Sequence, residues 1–154
     1  MGGDVAIRSA TNSDIPALTC MAEVMHAESP RLSRIPFSAA KVSRLFSSLI
    51  ALPDGLVLVV EVGGVIVGGV AAVVSEHWFS DEKVATEFGI FLMQEHRGGL
   101  AAARLVRSYI DWARTHGVGP GWVKIGISTG VHQEKTAELY EALGAKLSSL
   151  VFEV

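Results

Sequence analysis

Apolar positions recur along the chain with two different periods. Asp4–Ser9 alternates apolar and polar residues, which favours a short strand. The β-branched runs Leu56–Val62 and Val65–Val74 are typical of longer strands, and Val84–Met93 is a third such run. Gly63-Gly64 joins the first two runs. Because both glycines can adopt positive φ in a two-residue turn, this pair predicts a hairpin.

Helical spacing dominates the remaining segments. The predicted helices are a first one containing Ile15, Leu18, Ala22 and Met25, a second over Val42–Ile50, a third over Arg97–His116 and a fourth over Gln133–Leu143. Thr11 and Asp14 have the spacing of a weak capping box before the first helix, and Ser38 can cap the second. Trp122–Ser128 and Leu147–Val154 are predicted as two further strands.

The resulting element order is β-α-α-β-β-β-α-β-α-β. It predicts an α/β (α+β) fold with a mixed, mainly antiparallel central sheet flanked by helices. The strand–helix–strand succession in the second half implies local parallel pairing. A chain of 154 residues has the usual size of one domain, so residues 1–154 are expected to form a single domain.

Composition narrows the class of protein. Apolar residues make up 49% and charged residues 19% of the chain, which favours a folded globular protein. The net charge of −3, without a Lys/Arg block, gives no sign of nucleic-acid binding, and no apolar run approaches the roughly 20 residues of a membrane span. Met1-Gly2-Gly3-Asp4 lacks the features of a signal peptide, and the single Cys20 excludes an intramolecular disulfide. We therefore expect a cytoplasmic protein.

The segment from Phe91 to Ala102 is the sharpest chemical feature. A buried strand ends, the turn Arg97-Gly98-Gly99 follows, and a long amphipathic helix begins at once. The free N–H groups of a helix start attract anions, glycines allow close backbone approach, and arginine adds a bidentate donor. The alternative is a plain loop-to-helix junction. The histidines lack the spacing of ligands, so no metal site is predicted.

This segment resembles motif A of the GNAT superfamily of N-acetyltransferases, in which Gln/Arg-x-x-Gly-x-Gly/Ala holds the coenzyme A pyrophosphate. Arg97 matches the first position and Ala102 the last, whereas Leu100 replaces the usual glycine. The element order is also similar to that of the family. The resemblance implies acetyl-CoA as cofactor. It implies binding by Leu92, Met93, Arg97, Gly98, Gly99, Leu100, Ala101 and Ala102.

Two further residues match the family at catalytic positions. Tyr140 lies in Ala137-Glu-Leu-Tyr140-Glu-Ala-Leu143-Gly144, which is similar to the family's last helix, where a tyrosine serves as general acid toward the thiolate. Glu87 lies ten residues before Arg97, where family members place a glutamate as base toward the amine. The alternatives are a core aromatic for Tyr140 and a solvated strand carboxylate for Glu87. In the family the strand carrying Glu87 also splays from the next one, and pantetheine pairs with the exposed edge.

The resemblance implies an acetyl-CoA-dependent N-acyltransferase that acetylates a primary amine of a small molecule in a ternary complex. A GNAT-like module that binds acyl-CoA without turnover and a protein N-terminal or lysine acetyltransferase stay open, and a homodimer is compatible with the sequence. The loops His26–Phe37 and Ser75–Lys83 are expected to flank the acceptor cleft, with Glu76, Asp81 and Glu82 attracting a cation. The alternative for the second loop is a solvated hairpin tip.

Overall fold

The computed structural model describes residues 3–154. Met1 and Gly2, which belong to the N-terminal segment that was predicted to lack signal-peptide features, lie outside the described residues. The strands are β1 (Val5–Ser9), β2 (Gly55–Val62), β3 (Val65–Glu76), β4 (Lys83–Leu92) and β5 (Val123–Lys124). The helices are α1 (Ile15–Glu28), α2 (Ala39–Ala51), α3 (Leu100–Thr115) and α4 (Gln133–Ala142). Among the described residues, no helix is long and apolar enough to cross a membrane.

The sheet has the order β1-β2-β3-β4-β5. Its first four strands are antiparallel, and β5 lies parallel to β4 after the α3 crossover. The β2–β3 hairpin turns at Gly63 and Gly64 with φ of 57° and 80°, as the glycine pair predicts. The mixed sheet flanked by helices confirms the predicted fold class.

Each face of the sheet carries its own apolar core. On one face, Leu105, Tyr109 and Ala113 of α3 are completely buried against the sheet. On the other face, α1 and α2 pack through Leu18, Leu49 and their neighbours. The Lys41 N–H donates to Ser38 Oγ, so Ser38 caps α2 as predicted. The Thr11 N–H donates to Asp14 Oδ2, and this box caps the short 3-10 turn Asn12–Asp14 that leads into α1 rather than α1 itself.

The last two predicted strands differ from the structure. Trp122–Ser128 is reduced to the two residues of β5, because the backbone leaves β4 after Lys124. Leu147–Val154 forms no strand within residues 3–154, and its apolar side chains, Phe152 among them, are exposed. The short β5 offers this segment little edge to pair with. Within this segment, Glu153 forms exposed ion pairs with Arg31 and Arg34.

Candidate active site

The neighbouring strands β4 and β5 separate halfway along β4. They pair only at Ala85 with Val123 and at Thr86 with Lys124. Immediately afterwards β4 contains a bulge, since Glu87 pairs with Ala72 and Gly89 with Ala71, leaving Phe88 without a partner. A cavity of about 580 Å³ opens between the diverging strands. The predicted splay of these two strands is therefore present.

The cavity is built from five parts of the chain. One wall is the second half of β4, and the facing wall is the segment after β5, which includes Gly126, Ser128 and Thr129. The end of α1 and the start of α3 close one side, and α4 closes the other through Tyr140.

Glu87 faces the segment that follows β5. Its Oε1 accepts a hydrogen bond of 2.9 Å from the Gly126 N–H. Burial raises the pKa of the Glu87 carboxyl above its ordinary value, and the hydrogen bond from Gly126 partly opposes that rise. A carboxylate with a raised pKa is suited to accept a proton near neutral pH.

Tyr140 reaches the same glycine from α4. Its hydroxyl donates to the Gly126 carbonyl over 3.3 Å, and its side chain is largely buried. Burial, and to a smaller extent the charge of Glu87, raises the pKa of Tyr140. The phenol therefore keeps its proton at neutral pH and can donate it. Both catalytic residues predicted from the sequence thus lie in the cavity.

The start of α3 forms the other end of the cavity. Gly98 has φ of 79°, and Gly99 is the N-cap residue, which supplies no side chain to the first-turn N–H groups. A Cβ placed on either glycine would meet no atom within 4 Å, so the space in front of the helix is open. Unsatisfied N–H groups that face open space form an anion-binding position.

Arg97 is engaged by protein groups rather than directed freely into this space. Its guanidinium forms a two-pronged ion pair with Glu28 of α1, with Nη2 to Oε2 at 2.7 Å. Its Nε donates to the Leu92 carbonyl over 2.8 Å, and the guanidinium carbon lies 5.2 Å from the centre of the Phe91 ring. The positive charge of Arg97, which was expected to bind a phosphate, is therefore compensated by Glu28.

The predicted cofactor residues divide into two groups. Those that line the cavity are Leu92, Arg97, Gly98, Gly99 and Ala102. The other three lie elsewhere: Leu100 is 80% exposed, Ala101 is buried against the sheet, and Met93 packs toward α1 and α2. The Met93 N–H is already bonded to the Val67 carbonyl.

Only one of the two loops that were predicted to flank the acceptor cleft contributes residues to the cavity. Glu28 and Leu32, within the predicted loop His26–Phe37, line the cavity, although α1 continues to Glu28. No residue of Ser75–Lys83 lines it, because this hairpin tip lies at the start of β4 and Glu87 lies farther along the strand. Its aromatic residues pack on one another, as Trp78 does with Phe79 at 4.6 Å between ring centres.

Two residues that bind the candidate site residues, Gly126 and Glu28, were not predicted individually from the sequence. Gly126 interrupts the apolar run Ile125-Gly126-Ile127, and an isolated glycine in a strand pattern does indicate close approach of another group. Glu28 carries no such signal, because its partner Arg97 lies 69 residues away in the chain.

A sequence profile of the Acetyltransferase (GNAT) family matches residues 22–145, most of the chain. The chain therefore belongs to the acetyltransferase (GNAT) family, which confirms the resemblance drawn from motif A. None of the curated proteins matches the sequence.

Solved structures share the fold over nearly the whole chain. An aminoglycoside N-acetyltransferase in complex with coenzyme A superposes with a TM-score of 0.79 at 14% identity, over 100% of this chain and 95% of the other. A transcriptional regulator from Bacillus halodurans C-125 superposes with a TM-score of 0.78 at 20% identity, over 98% of this chain and 99% of the other. An aminoglycoside acetyltransferase from an uncultured soil metagenomic sample superposes with a TM-score of 0.72 at 16% identity, over 98% of this chain and 97% of the other. At such identities the likeness concerns the fold.

Proposed function

We propose that this protein is an N-acetyltransferase that moves an acetyl group from acetyl-CoA to a primary amine of a small molecule, by direct attack in a ternary complex. The observation that carries the proposal is the meeting of Glu87 and Tyr140 at Gly126, where β4 and β5 separate. A proton acceptor and a proton donor thus lie in one cavity that extends to the open start of α3. Family membership supports the same reaction.

The start of α3 fits the pyrophosphate of coenzyme A. The open space at Gly98 and Gly99 admits a phosphate close to the backbone, and the helix dipole favours its negative charge. Of the other predicted cofactor residues, Leu92 and Ala102 line the path from this position toward Glu87. A structural neighbour solved with coenzyme A supports this cofactor.

The open edge of β4 supplies backbone donors. The Met93 N–H faces β3, and consecutive residues of a strand present their N–H groups to opposite edges. The N–H groups of Ile90 and Leu92 therefore face the open edge, as the Leu92 carbonyl does where Arg97 binds it. Donors at this edge are suited to pair with pantetheine and to stabilise the thioester oxygen as it gains charge.

Glu87 and Tyr140 account for the proton transfers. Glu87 accepts a proton from the ammonium form of the acceptor, directly or through water, and the free amine attacks the thioester carbon. The N–C bond forms, and the attacking nitrogen loses its second proton to Glu87, which has by then passed the first one to solvent. The C–S bond breaks, Tyr140 donates its proton to the departing thiolate, and the phenolate regains a proton from solvent. No covalent intermediate on the protein is required.

Calorimetric titration with acetyl-CoA and a thiol-release assay with a panel of amines test this proposal together. The panel comprises ethylamine, 2-phenylethylamine, glucosamine and a lysine-containing peptide. We expect acetyl-CoA binding and thiol release with at least one small amine. Binding without release for any acceptor would instead identify an acyl-CoA-binding module, and release with the peptide alone would identify a protein acetyltransferase.

A further inference from the structure

A second cavity lies on the opposite face of the sheet, between α1, α2 and strands β3 and β4. Its volume is about 190 Å³. Every residue that lines it is apolar or glycine, with Leu18, Met21, Leu45 and Phe46 among them. A space lined in this way favours apolar groups, and an apolar cavity of about 150 Å³ in another protein holds benzene.

The second cavity adjoins the reaction cavity. Four residues line both, namely Met25, Phe88, Gly89 and Phe91. Gly89 has no side chain to separate the two spaces, and a Cβ there would lie 3.5 Å from the Met25 methyl group. Met25 therefore covers the passage with a flexible thioether that can move aside. Phe88, in the bulge beside Glu87, is 54% exposed and presents an uncovered ring to the same passage.

We infer that the acceptor amine carries an apolar group of about the size of a benzene ring, an aromatic ring or a branched alkyl chain, which occupies the cavity between α1 and α2. The inference rests on the proposed function and specifies its substrate class. With the apolar group in this cavity, the amine reaches Glu87 past Gly89. No charged group within residues 3–154 lines the second cavity, so it offers nothing to a polar polycation.

The acceptor, rather than the acyl donor, is the source of this apolar group. The family that the chain belongs to transfers acetyl groups, and an acetyl group has one methyl to bury. A single methyl leaves a space of about 190 Å³ mostly empty. Filling it with the acceptor removes apolar surface of both partners from water.

The test compares kcat/KM for 2-phenylethylamine, 3-methylbutylamine, ethylamine and glucosamine with acetyl-CoA as donor. The wild-type protein should prefer the first two by about tenfold or more, since single apolar contacts in a substrate pocket give about 10- to 200-fold discrimination. Ala22→Leu fills the cavity from α1 and should remove most of that preference while ethylamine turnover persists. Ala27→Leu, an exposed position of the same helix that lines neither cavity, should retain the preference.

A readout that does not depend on turnover separates the two proposals. In protein labelled with ¹³C at the methionine methyl groups, 2-phenylethylamine added with coenzyme A should shift the Met21 and Met25 signals through its ring current. Turnover of all amines without preference, or unchanged Met21 and Met25 signals, would overturn the inference and leave the acetyltransferase proposal standing. A preference for hexanoyl-CoA over acetyl-CoA that Ala22→Leu abolishes would overturn it in favour of the acyl group. Absence of thiol release with every amine would contradict the proposed function, and the methionine signals would then decide the inference alone.

Discussion

Glu87 and Tyr140 are joined through the two sides of one residue. The Gly126 N–H donates to the Glu87 carboxylate, and the Gly126 carbonyl accepts from the Tyr140 hydroxyl. The charge of Glu87 also contributes to the raised pKa of Tyr140, so the two side chains influence each other electrostatically. A glycine at this position matters because a Cβ would lie 3.2 Å from Glu87 Oε1. The candidate acid and base therefore share one backbone anchor on the segment after β5.

Replacing Tyr140 by phenylalanine should lower kcat by about 10²-fold or more, because the departing thiolate loses its proton donor. Acetyl-CoA affinity should change little. Single-turnover measurement of thiol release, together with calorimetric titration, checks both expectations. The matched control is Tyr109→Phe. Tyr109 is completely buried, donates to the Lys124 carbonyl and does not line the cavity, so this change should affect stability more than turnover. Wild-type kcat in Tyr140→Phe would remove the acid role.

The pH dependence of kcat/KM should report the Glu87 carboxyl. A base works in its deprotonated form, so activity should rise as pH increases through the pKa of Glu87, which burial has raised above the ordinary value. Glu87→Gln should lower kcat by about 10²- to 10⁴-fold and leave only the pH dependence of the acceptor amine. Glu76→Gln, the same change at a residue that does not line the cavity, should keep the wild-type profile. An unchanged profile in Glu87→Gln would contradict the base role.

Removing the charge of Glu28 should strengthen coenzyme A binding. Glu28→Gln releases Arg97 from its ion pair and makes the guanidinium available to the pyrophosphate, for an expected gain of about two- to tenfold that decreases with added salt. Arg97→Ala should weaken binding relative to Glu28→Gln. Calorimetric titration at two salt concentrations measures both, with the exposed Glu141→Gln as charge control. Equal affinities in all variants would mean that the backbone alone holds the phosphate.

Asp14 should stabilise the fold in a pH-dependent way. Its carboxylate accepts two hydrogen bonds from Arg8 and one from the Thr11 N–H. These partners, Arg8 first, hold the pKa of Asp14 well below its ordinary value. A lowered folded-state pKa contributes stability above the unfolded-state pKa of about 3.9, and this contribution is lost as pH falls toward the folded-state pKa.

Asp14→Ala should therefore reduce the free energy of unfolding by about 1–3 kcal/mol at neutral pH, with a smaller difference below pH 4. Urea unfolding at several pH values measures the difference. Asp111→Ala, which removes a carboxylate from a 3.8 Å exposed pair with Arg114, should change stability far less. A difference that does not depend on pH would show that the Asp14 charge is not its source.

The sequence predicts those parts of the fold that depend on local chemistry. The β2–β3 hairpin follows from two glycines that can adopt positive φ, and the buried stripe of α3 follows from its spacing. Glu87 and Tyr140 were identified through family motifs, and both lie in the cavity. Their roles stay predictions until the variants are measured.

Long-range geometry accounts for what the sequence does not reveal. Where β5 leaves β4 depends on packing across the sheet, so the length of β5 and the unpaired segment Leu147–Val154 could not be read from β-propensity alone. The position of Ser75–Lys83 away from the cavity depends on which half of β4 bears the bulge. The pairing of Arg97 with Glu28 joins residues far apart in the chain and leaves no periodic pattern.

The bulge at Phe88 sets the phase of β4. Ala85 before it and Ile90 and Leu92 after it face the same core, although strict alternation from Ala85 would place residues of even number on the other face. Phe91 accordingly faces α1 and α2. Deletion of one residue at the bulge would turn each side chain of β4 from Gly89 onward to the opposite face of the sheet. The register of this strand, rather than any single side chain, therefore directs Ile90 and Leu92 to the core under α3 and Phe91 to the core under α1 and α2, which would let one strand serve a cofactor on one side and the proposed apolar acceptor on the other.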